Sequence, residues 1–520
     1  MFPIIPLMTL FPFIGFLLLL VLPARLGMNR IIATFFSGIS LALGAWMLLV
    51  YNYGSTAMQM TNSYTWINLT YFPIDYSVGV DGIGLPMIFL SVLLSFLVVI
   101  FSWDVSHRSN QYFAMVLLTE VGVLGVFTVT NYFVFYLFWE AVLIPMFFLI
   151  LVWGSARRVY SATKFFIYTH ASSLVMLLAF FALYFQYHKA TGLWSFSMIE
   201  INKYSPGFGV FFQLIVFVGL FFGFIVKMPV FPFHTWLPDA HTDAPTGGSV
   251  LLAGLLIKMG SFGLIRIAVP ALPRGAEMIK EWILVLAVIS ILYGAWVSLA
   301  QKDVKRMIAN SSISHMGLVL LAIAASVYSL NYNPATGIYS MNTLGMTVAD
   351  FQMFAHGLIT AVLFMSAGVI QHHAGTRDMD RLGGLGRHMP MLSTFMMAGF
   401  LASLGLPGMV GFAAEFSVFY VTFVHFGVFL IIPILTVVIT LSYYVWAMQR
   451  SLFGPESDKL DFTKIHDSNW YEIWPMGVLV IVIIIFGIVP WVMFNAIGVG
   501  TVGWYHYFLG GHSFLGGAGP

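Results

Sequence analysis

Uncharged apolar stretches follow one another along almost the whole chain, and that repetition constrains the fold more than any motif does. Crossing the hydrocarbon core of a bilayer takes about 20 mostly apolar helical residues. Fourteen stretches meet that length, at roughly 3–23, 31–51, 84–103, 111–130, 132–153, 164–187, 209–237, 246–269, 282–300, 304–326, 346–371, 391–425, 428–450 and 474–497. They are numbered helices 1 to 14. Composition agrees: of 520 residues only 22 are Lys or Arg and 20 are Asp or Glu, while 60% are apolar. A water-soluble fold of this size cannot hide that much apolar surface, which excludes a soluble enzyme. A net charge of +2 gives no basic footprint for nucleic acid. With no cysteine, this chain holds no disulfide, thiolate zinc site, iron–sulfur cluster or cysteine nucleophile. The first stretch lacks the basic start and small-residue cleavage site of a signal peptide and is expected to stay as a first helix.

Basic residues favour the cytoplasmic side. Fifteen of them lie in the loops after odd-numbered helices: Arg25, Arg30, Arg108, Arg157, Arg158, Lys164, Lys302, Lys305, Arg306, Arg377, Arg381, Arg387, Arg450, Lys459 and Lys464. Five lie on the other side: Lys189, Lys203, Arg266, Arg274 and Lys280. This bias places the odd loops in the cytoplasm or its equivalent and both termini on the periplasmic or intermembrane side. The remaining two, Lys227 and Lys258, lie inside apolar runs.

Helices 7 and 12 are too long for one straight crossing, and each carries proline near its middle (Pro229 and Pro232; Pro407). They stand five helices apart, so helices 4–8 and 9–13 read as two repeats with one broken helix each. An odd number of helices inverts the second repeat relative to the first, as in many ion-coupled transporters. The expected fold is an all-α polytopic membrane protein of about 14 transmembrane helices with two inverted five-helix repeats. The expected divisions are 1–110, 111–270, 271–452 and 453–520.

A charged side chain at mid-membrane costs about 2.5–3.5 kcal/mol on insertion scales, so each is a functional candidate. Glu140, Lys227, Lys258, His315, His356 and Glu415 fall inside the apolar runs, with Glu120 as a further candidate. They occupy helices 4, 5, 7, 8, 10, 11 and 12, the interior of the repeats, and a chain of proton-exchanging groups accounts for them together. Burial lowers a lysine pKa and raises a glutamate pKa, and an opposite charge nearby reverses both. A Glu140–Lys227 pair that opens and closes would therefore switch proton affinity. His170 is expected as a polar helix contact. His234 and His241 are expected to cap or line the helix 7–8 turn, and His372 and His373 to lie on a solvated face rather than hold a metal. No dinucleotide, phosphate-loop or nucleophile-elbow motif occurs.

From Trp236 to Ser249 the chain reads W-L-P-D-A-H-T-D-A-P-T-G-G-S, with K-M-P-V-F-P-F-H at 227–234. Further on come Q-K-D-V-K-R-M-I-A-N-S-S-I-S-H-M-G at 301–317, T-R-D-M-D-R-L-G-G-L at 376–385 and G-L-P-G-M-V-G-F-A-A-E-F at 405–416. Together these resemble the antiporter-like membrane subunits of proton-pumping NADH:quinone oxidoreductase, respiratory complex I. The helix 5 motif F-W-E-A-V-L-I-P-M-F-F-L-I, Glu415 in helix 12, and the lack of a long lateral helix after helix 14 resemble the M type (mitochondrial chain 4). Asp243 departs from the family, which often has Glu there.

The resemblance implies that Glu140 and Lys227 govern proton uptake, Lys258 is the central relay, His315 and His356 continue it, and Glu415 releases protons. It implies that FMN, iron–sulfur clusters and quinone belong to partner subunits, and that L-type and N-type subunits are neighbours. An energy-transducing membrane follows, most simply a bacterial inner membrane, with the mitochondrial inner membrane as the other case. A subunit of a multisubunit Na⁺/H⁺ antiporter, a ferredoxin-fed photosynthetic relative, and an inert scaffold are the competing readings.

Overall fold

The structure is a computed structural model that describes residues 3–22, 26–333, 335 and 338–509. Arg25 and the C-terminal end, with the side expected for that terminus, lie outside the described residues.

Thirteen helices among the described residues are long and apolar enough to cross a membrane. The run Val410–Phe453 spans 44 residues, about 66 Å of helix and twice the hydrocarbon thickness. Gly427, with φ +55°, breaks it into Val410–Phe426 and Ile431–Met448. The first piece joins Pro390–Ser403 to make helix 12, and the second is helix 13. The fourteen expected helices are thereby accounted for. Helices 8, 10 and 11 are buried along their whole candidate spans. The lipid-facing helices, such as 2 and 13, keep exposed large apolar side chains like Ile31, Leu49 and Val438.

Helix 7 breaks as its prolines require. It runs Val210–Lys227, turns irregularly, and resumes as Trp236–Asp243. Protein groups take up the freed backbone polar atoms, which hydrocarbon could not. The Trp236 indole donates to the Val226 carbonyl at 2.9 Å, and the Phe231 amide donates to Ser290 Oγ at 3.0 Å. Helix 12 breaks between Ser403 and Val410. Gly405 and Gly408 there take φ of +71° and +90°, a left-handed backbone that side chains disfavour. Helix 5 is also divided, into Tyr132–Ala141 and Leu143–Trp153, because Pro145 cannot donate to the Ala141 carbonyl.

Two regions differ from expectation. The segment 52–83, between helices 2 and 3 and outside any expected span, folds into an antiparallel hairpin of Gln59–Ile67 and Ile74–Val80 with Ser63 opposite Ser77. Helix 14 runs Trp470–Ile488 rather than 474–497. Asn469 and Glu472 form a capping box that starts it earlier. Pro490 disfavours helical backbone at Val489, which ends it, and the chain turns into a further helix, Trp491–Leu509. That last helix packs on the hairpin loop and the start of helix 3, with Gly500 against Gly82.

Candidate functional site

Helix 8 is not a uniform α-helix. Its regular segment Ile257–Gly263 lies between two π-helical turns, Leu252–Leu256 and Leu264–Ala268. Wider turns of this kind loosen the i→i−4 pattern and free carbonyls for side chains. The fully buried Lys258 uses that freedom, its Nζ donating to the Ala253 carbonyl five residues back. Its second partner is His356 Nδ1 on helix 11, at 2.7 Å. Helix 7 comes close because residue 260 is glycine: a Cβ there would meet the Phe224 carbonyl oxygen at 2.4 Å.

The line of ionisable groups continues from His356. Its ring centroid lies 5.2 Å from that of His315 on helix 10. His315 Nδ1 lies 3.2 Å from Glu415 Oε1, just past the break in helix 12. Ser403, at the end of the first half of helix 12, contacts His315 Nε2 at 3.4 Å and donates to Tyr444 at 2.9 Å. A cavity of about 10 Å³, room for the centre of one water, lies among His315, Ser403, Glu415 and Thr440. Four of the expected residues, Lys258, His356, His315 and Glu415, are thus brought into one file. All four are at most 8% exposed. Groups spaced this way can pass a proton by single hydrogen-bonded or water-bridged steps.

Lys227 and Glu140 are arranged differently. Lys227 ends the first half of helix 7, where the negative end of the helix dipole favours a cation. Its ammonium lies 5.0 Å from the centroid of the Trp139 ring. Glu140 instead bonds His170 Nδ1 at 2.8 Å, and the pair sits half-exposed on the flank of the bundle. Among the described residues no Glu140–Lys227 ion pair forms. His170, expected as a polar helix contact, is therefore Glu140's direct partner; it lies 30 positions further along the chain, on a neighbouring helix, so only packing brings them together.

Glu120 is fully buried on helix 4, and its carboxylate oxygens have no hydrogen-bond partner among the described residues. It stands apart from the Lys258 file.

The side of the odd-numbered loops holds a second buried group that the sequence did not single out. Lys305, counted with the loops, is 2% exposed at the start of helix 10 and donates to the Ala244 carbonyl at 2.6 Å. His241, expected at the helix 7–8 turn, is fully buried there, stacked on Phe364 at 4.8 Å, and neither ring nitrogen has a hydrogen-bond partner among the described residues. Asp243 accepts from Ser155 and Ser161, both at 2.5 Å, so its shorter reach is met by two hydroxyls. Its neighbour Asp239 pairs with Lys164 at 2.8 Å. His234 is buried with its ring against Tyr293.

His372 lies on an exposed face, as expected, while His373 is half-buried. Each bonds Glu472 at 3.0 Å, and Glu472 is the buried residue that caps helix 14. The start of helix 14 therefore covers His373 and leaves His372 open to solvent. Nearby in the loop after helix 3, burial pushes Asp104 above the usual carboxylate range, against the pull of His372.

Two further charges escaped the sequence reading. Arg266 was counted with the loops but is 3% exposed in the second π-turn of helix 8, paired with Asp81 and stacked 3.7 Å from the Trp504 ring centroid. Asp350, inside the expected span 346–371, is fully buried with neither carboxylate oxygen partnered among the described residues. The rule that flags charges inside apolar runs covers both; their place near the span ends hid them.

Fold and site define a class: a polytopic helical membrane protein with two discontinuous helices and a buried file of ionisable side chains between them. The chain belongs to the family described as NADH:quinone oxidoreductase/Mrp antiporter, transmembrane, which matches residues 129–440. It is 42% identical over 458 residues to F(420)H(2) dehydrogenase subunit M of Methanosarcina mazei, covering 87% of this chain and 88% of that one. It is 37% identical over 505 residues to NADH-quinone oxidoreductase subunit M of Escherichia coli K12, covering 94% of each. Among solved structures it is similar to a chain of respiratory complex I from Thermus thermophilus with bound NADH. That match has a TM-score of 0.83 at 26% identity and covers 98% of this chain and 100% of that one.

Proposed function

We propose that this chain is a proton-translocating membrane-arm subunit of an NADH:quinone oxidoreductase, moving H⁺ through its buried Glu, Lys and His side chains while other subunits transfer electrons. The observation that carries this reading is the buried file Lys258–His356–His315–Glu415, joined by polar contacts at both ends and by a 5.2 Å ring contact between the two histidines. A scaffold has no use for four buried ionisable groups at such spacing, each costly to bury.

The roles follow the geometry. Lys227, held over Trp139 at the end of a half-helix, exchanges partners with Glu140, which His170 holds in the present state. Lys258 is the central relay, His356 and His315 carry the proton on, and Glu415 releases it beside the helix 12 break. His241 and Lys305 lie between the odd-numbered loops and Lys258 and support uptake from that side. Glu120, off the file, is assigned a secondary part. The two five-helix units 111–270 and 271–452 each contribute one broken helix. The fifteen-to-five basic bias supports cytoplasmic odd loops and termini on the opposite side of the membrane. Glu140 and His170, half-exposed on the flank, face a neighbouring antiporter-like subunit of the L or N type. FMN, iron–sulfur clusters and quinone belong to partner subunits.

The 42% identity to an F(420)H(2) dehydrogenase subunit favours a second reading, in which the pumping is the same and the electron donor differs. The test is the complex purified with its partners and reconstituted in liposomes. Electron transfer from NADH to a quinone should acidify the lumen, and Lys258→Ala should abolish that acidification in complexes that assemble normally on native gels. Activity with reduced F420 and none with NADH selects the second reading. Undiminished pumping in Lys258→Ala removes the proton-relay reading.

A further inference from the structure

Helices 8 and 11 run antiparallel past the Lys258–His356 contact, and both continue toward the even-numbered loops. Along that stretch the buried polar groups change character. On helix 11, His356 Nε2, Gln352 Oε1 and both Asp350 oxygens have no partner among the described residues. On helix 8, the same holds for Ser261 Oγ and Arg266 Nε. Each of these residues is at most 3% exposed. Buried polar atoms are nearly always satisfied by protein or ordered water. Gln352, two positions from Asp350, lies on the other side of helix 11, so the groups that mark a polar passage are His356, Ser261, Asp350 and Arg266. They run from Asp350 to His356 on helix 11 and from Ser261 to Arg266 on helix 8, about 9 and 8 Å of helix.

The passage leads to a built terminus. Asp81 is held on both oxygens: its Oδ1 accepts from the Ile83 and Gly84 amides at 3.2 and 3.0 Å at the start of helix 3, and its Oδ2 pairs with Arg266. Asp350 lies within electrostatic reach of both. Beyond Asp81 opens a cavity of about 440 Å³, lined also by Met58, Trp504, His506 and Tyr507, beneath the helix Trp491–Leu509. Trp504 closes the inner wall by stacking on Arg266. Asp350, with no bond to hold it in either protonation state, is the one carboxyl group in the row free to gain and lose a proton.

We infer that a second proton branch leaves the Lys258–His356 centre along helices 8 and 11, passes through Asp350, and opens to the even-loop side through the Asp81–Arg266 gate and the cavity under the last helix. The inference rests on the relay reading above. His356 Nε2 passes its proton, through water bound to Ser261, to the Asp350 carboxylate. Asp350 then releases it past the fixed Asp81–Arg266 pair to water in the cavity. The Asp81–Arg266 pair is a positioning element that frames the mouth of the cavity beside Asp350.

The test uses the assembled complex in sealed vesicles, with three variants. Asp350→Asn keeps the shape and removes the proton exchange; Asp350→Glu restores it; Lys258→Ala reports on the relay itself. The expected result is a fall of about twofold in pumping for Asp350→Asn, the Glu415 branch remaining open, with recovery in Asp350→Glu. Infrared difference spectra of the wild type, recorded during turnover, should also show a carboxyl band that shifts in deuterium oxide and vanishes in Asp350→Asn. Normal pumping in Asp350→Asn beside none in Lys258→Ala overturns the branch and leaves the relay standing; normal pumping in both overturns the relay as well. If Asp350→Asn does not assemble, the wild-type band decides: absence of a deuterium-sensitive carboxyl band, with Asp350→Glu pumping no better than Lys258→Ala, makes Asp350 a structural contact and overturns the branch.

Discussion

Glu140 and Lys227 lie on helices that touch, yet the Glu140 carboxylate bonds His170 at 2.8 Å while the Lys227 ammonium rests 5.0 Å from the Trp139 ring centroid. The two charges expected to pair are held apart by the partners that each has instead. A lysine with an aromatic face and a helix C-terminus is stabilised without a carboxylate. A carboxylate with a histidine is stabilised without a lysine. In the proposed switch this is one arm, and closing the pair would require Glu140 to leave His170.

Replacing His170 tests that arrangement. His170→Phe removes Glu140's partner while keeping the aromatic contact with Phe166. Glu140 should then favour Lys227, and locking the pair closed should slow pumping and coupled electron transfer together, by about tenfold for a barrier rise near 1.4 kcal/mol. Glu140→Ala should be at least as severe. Proton uptake and quinone reduction in membranes with normal assembly check this, and unchanged rates in both variants would leave the pair without a functional part.

The contact between Lys258 and His356 should behave as one unit. Lys258→Ala and His356→Ala should each abolish pumping, and the double variant should be no worse than either alone, the non-additivity expected of groups that act together. Lys258→Arg should also fail, because a planar guanidinium does not fit a site closed on all sides around a point charge. Additive losses in the double variant would separate the two residues into independent routes.

At the other end of the file, Glu415→Gln keeps the shape beside Gly405 and removes the exchangeable proton. Pumping should fall by about twofold, the Asp350 branch remaining open. Glu415→Asp should recover part of it, since the 3.2 Å contact with His315 can re-form with a water between. Native gels establish assembly, and equal loss in Gln and Asp variants would point to reach rather than charge as the requirement.

On the odd-loop side, Asp380 bonds Lys302 at 2.7 Å and also pairs with Arg450, joining three loops. The Lys302 ammonium holds the Asp380 carboxyl below the usual carboxylate range. A depressed folded-state pKa contributes stability above the unfolded value, about 3.9, and loses it as pH falls through the folded value. The difference in melting temperature between the native protein and Asp380→Asn should therefore be small but present at pH 7 and shrink as pH falls below the unfolded value. A difference that does not change with pH would assign the effect to packing.

The sequence by itself determined the membrane solvent, the number of crossings and the two broken helices. These follow from local facts: about 20 apolar residues span a bilayer, and proline cannot donate a backbone hydrogen bond. It also named the members of the file, because charge inside an apolar run is expensive wherever the run packs. What only the tertiary structure decided is who meets whom. His170 sits 30 residues from Glu140, His356 lies 98 from Lys258, and Glu472 lies about as far from the two histidines it bonds, so no local pattern links them. The π-turns that aim Lys258 at Ala253 and His356 arise where the fully buried helix 8 is packed on every side. Arg266 and Asp350 look like span-end charges until the hairpin and the helix Trp491–Leu509 cover them. Burial is a property of the assembled bundle, and it alone turns those charges from surface groups into partners.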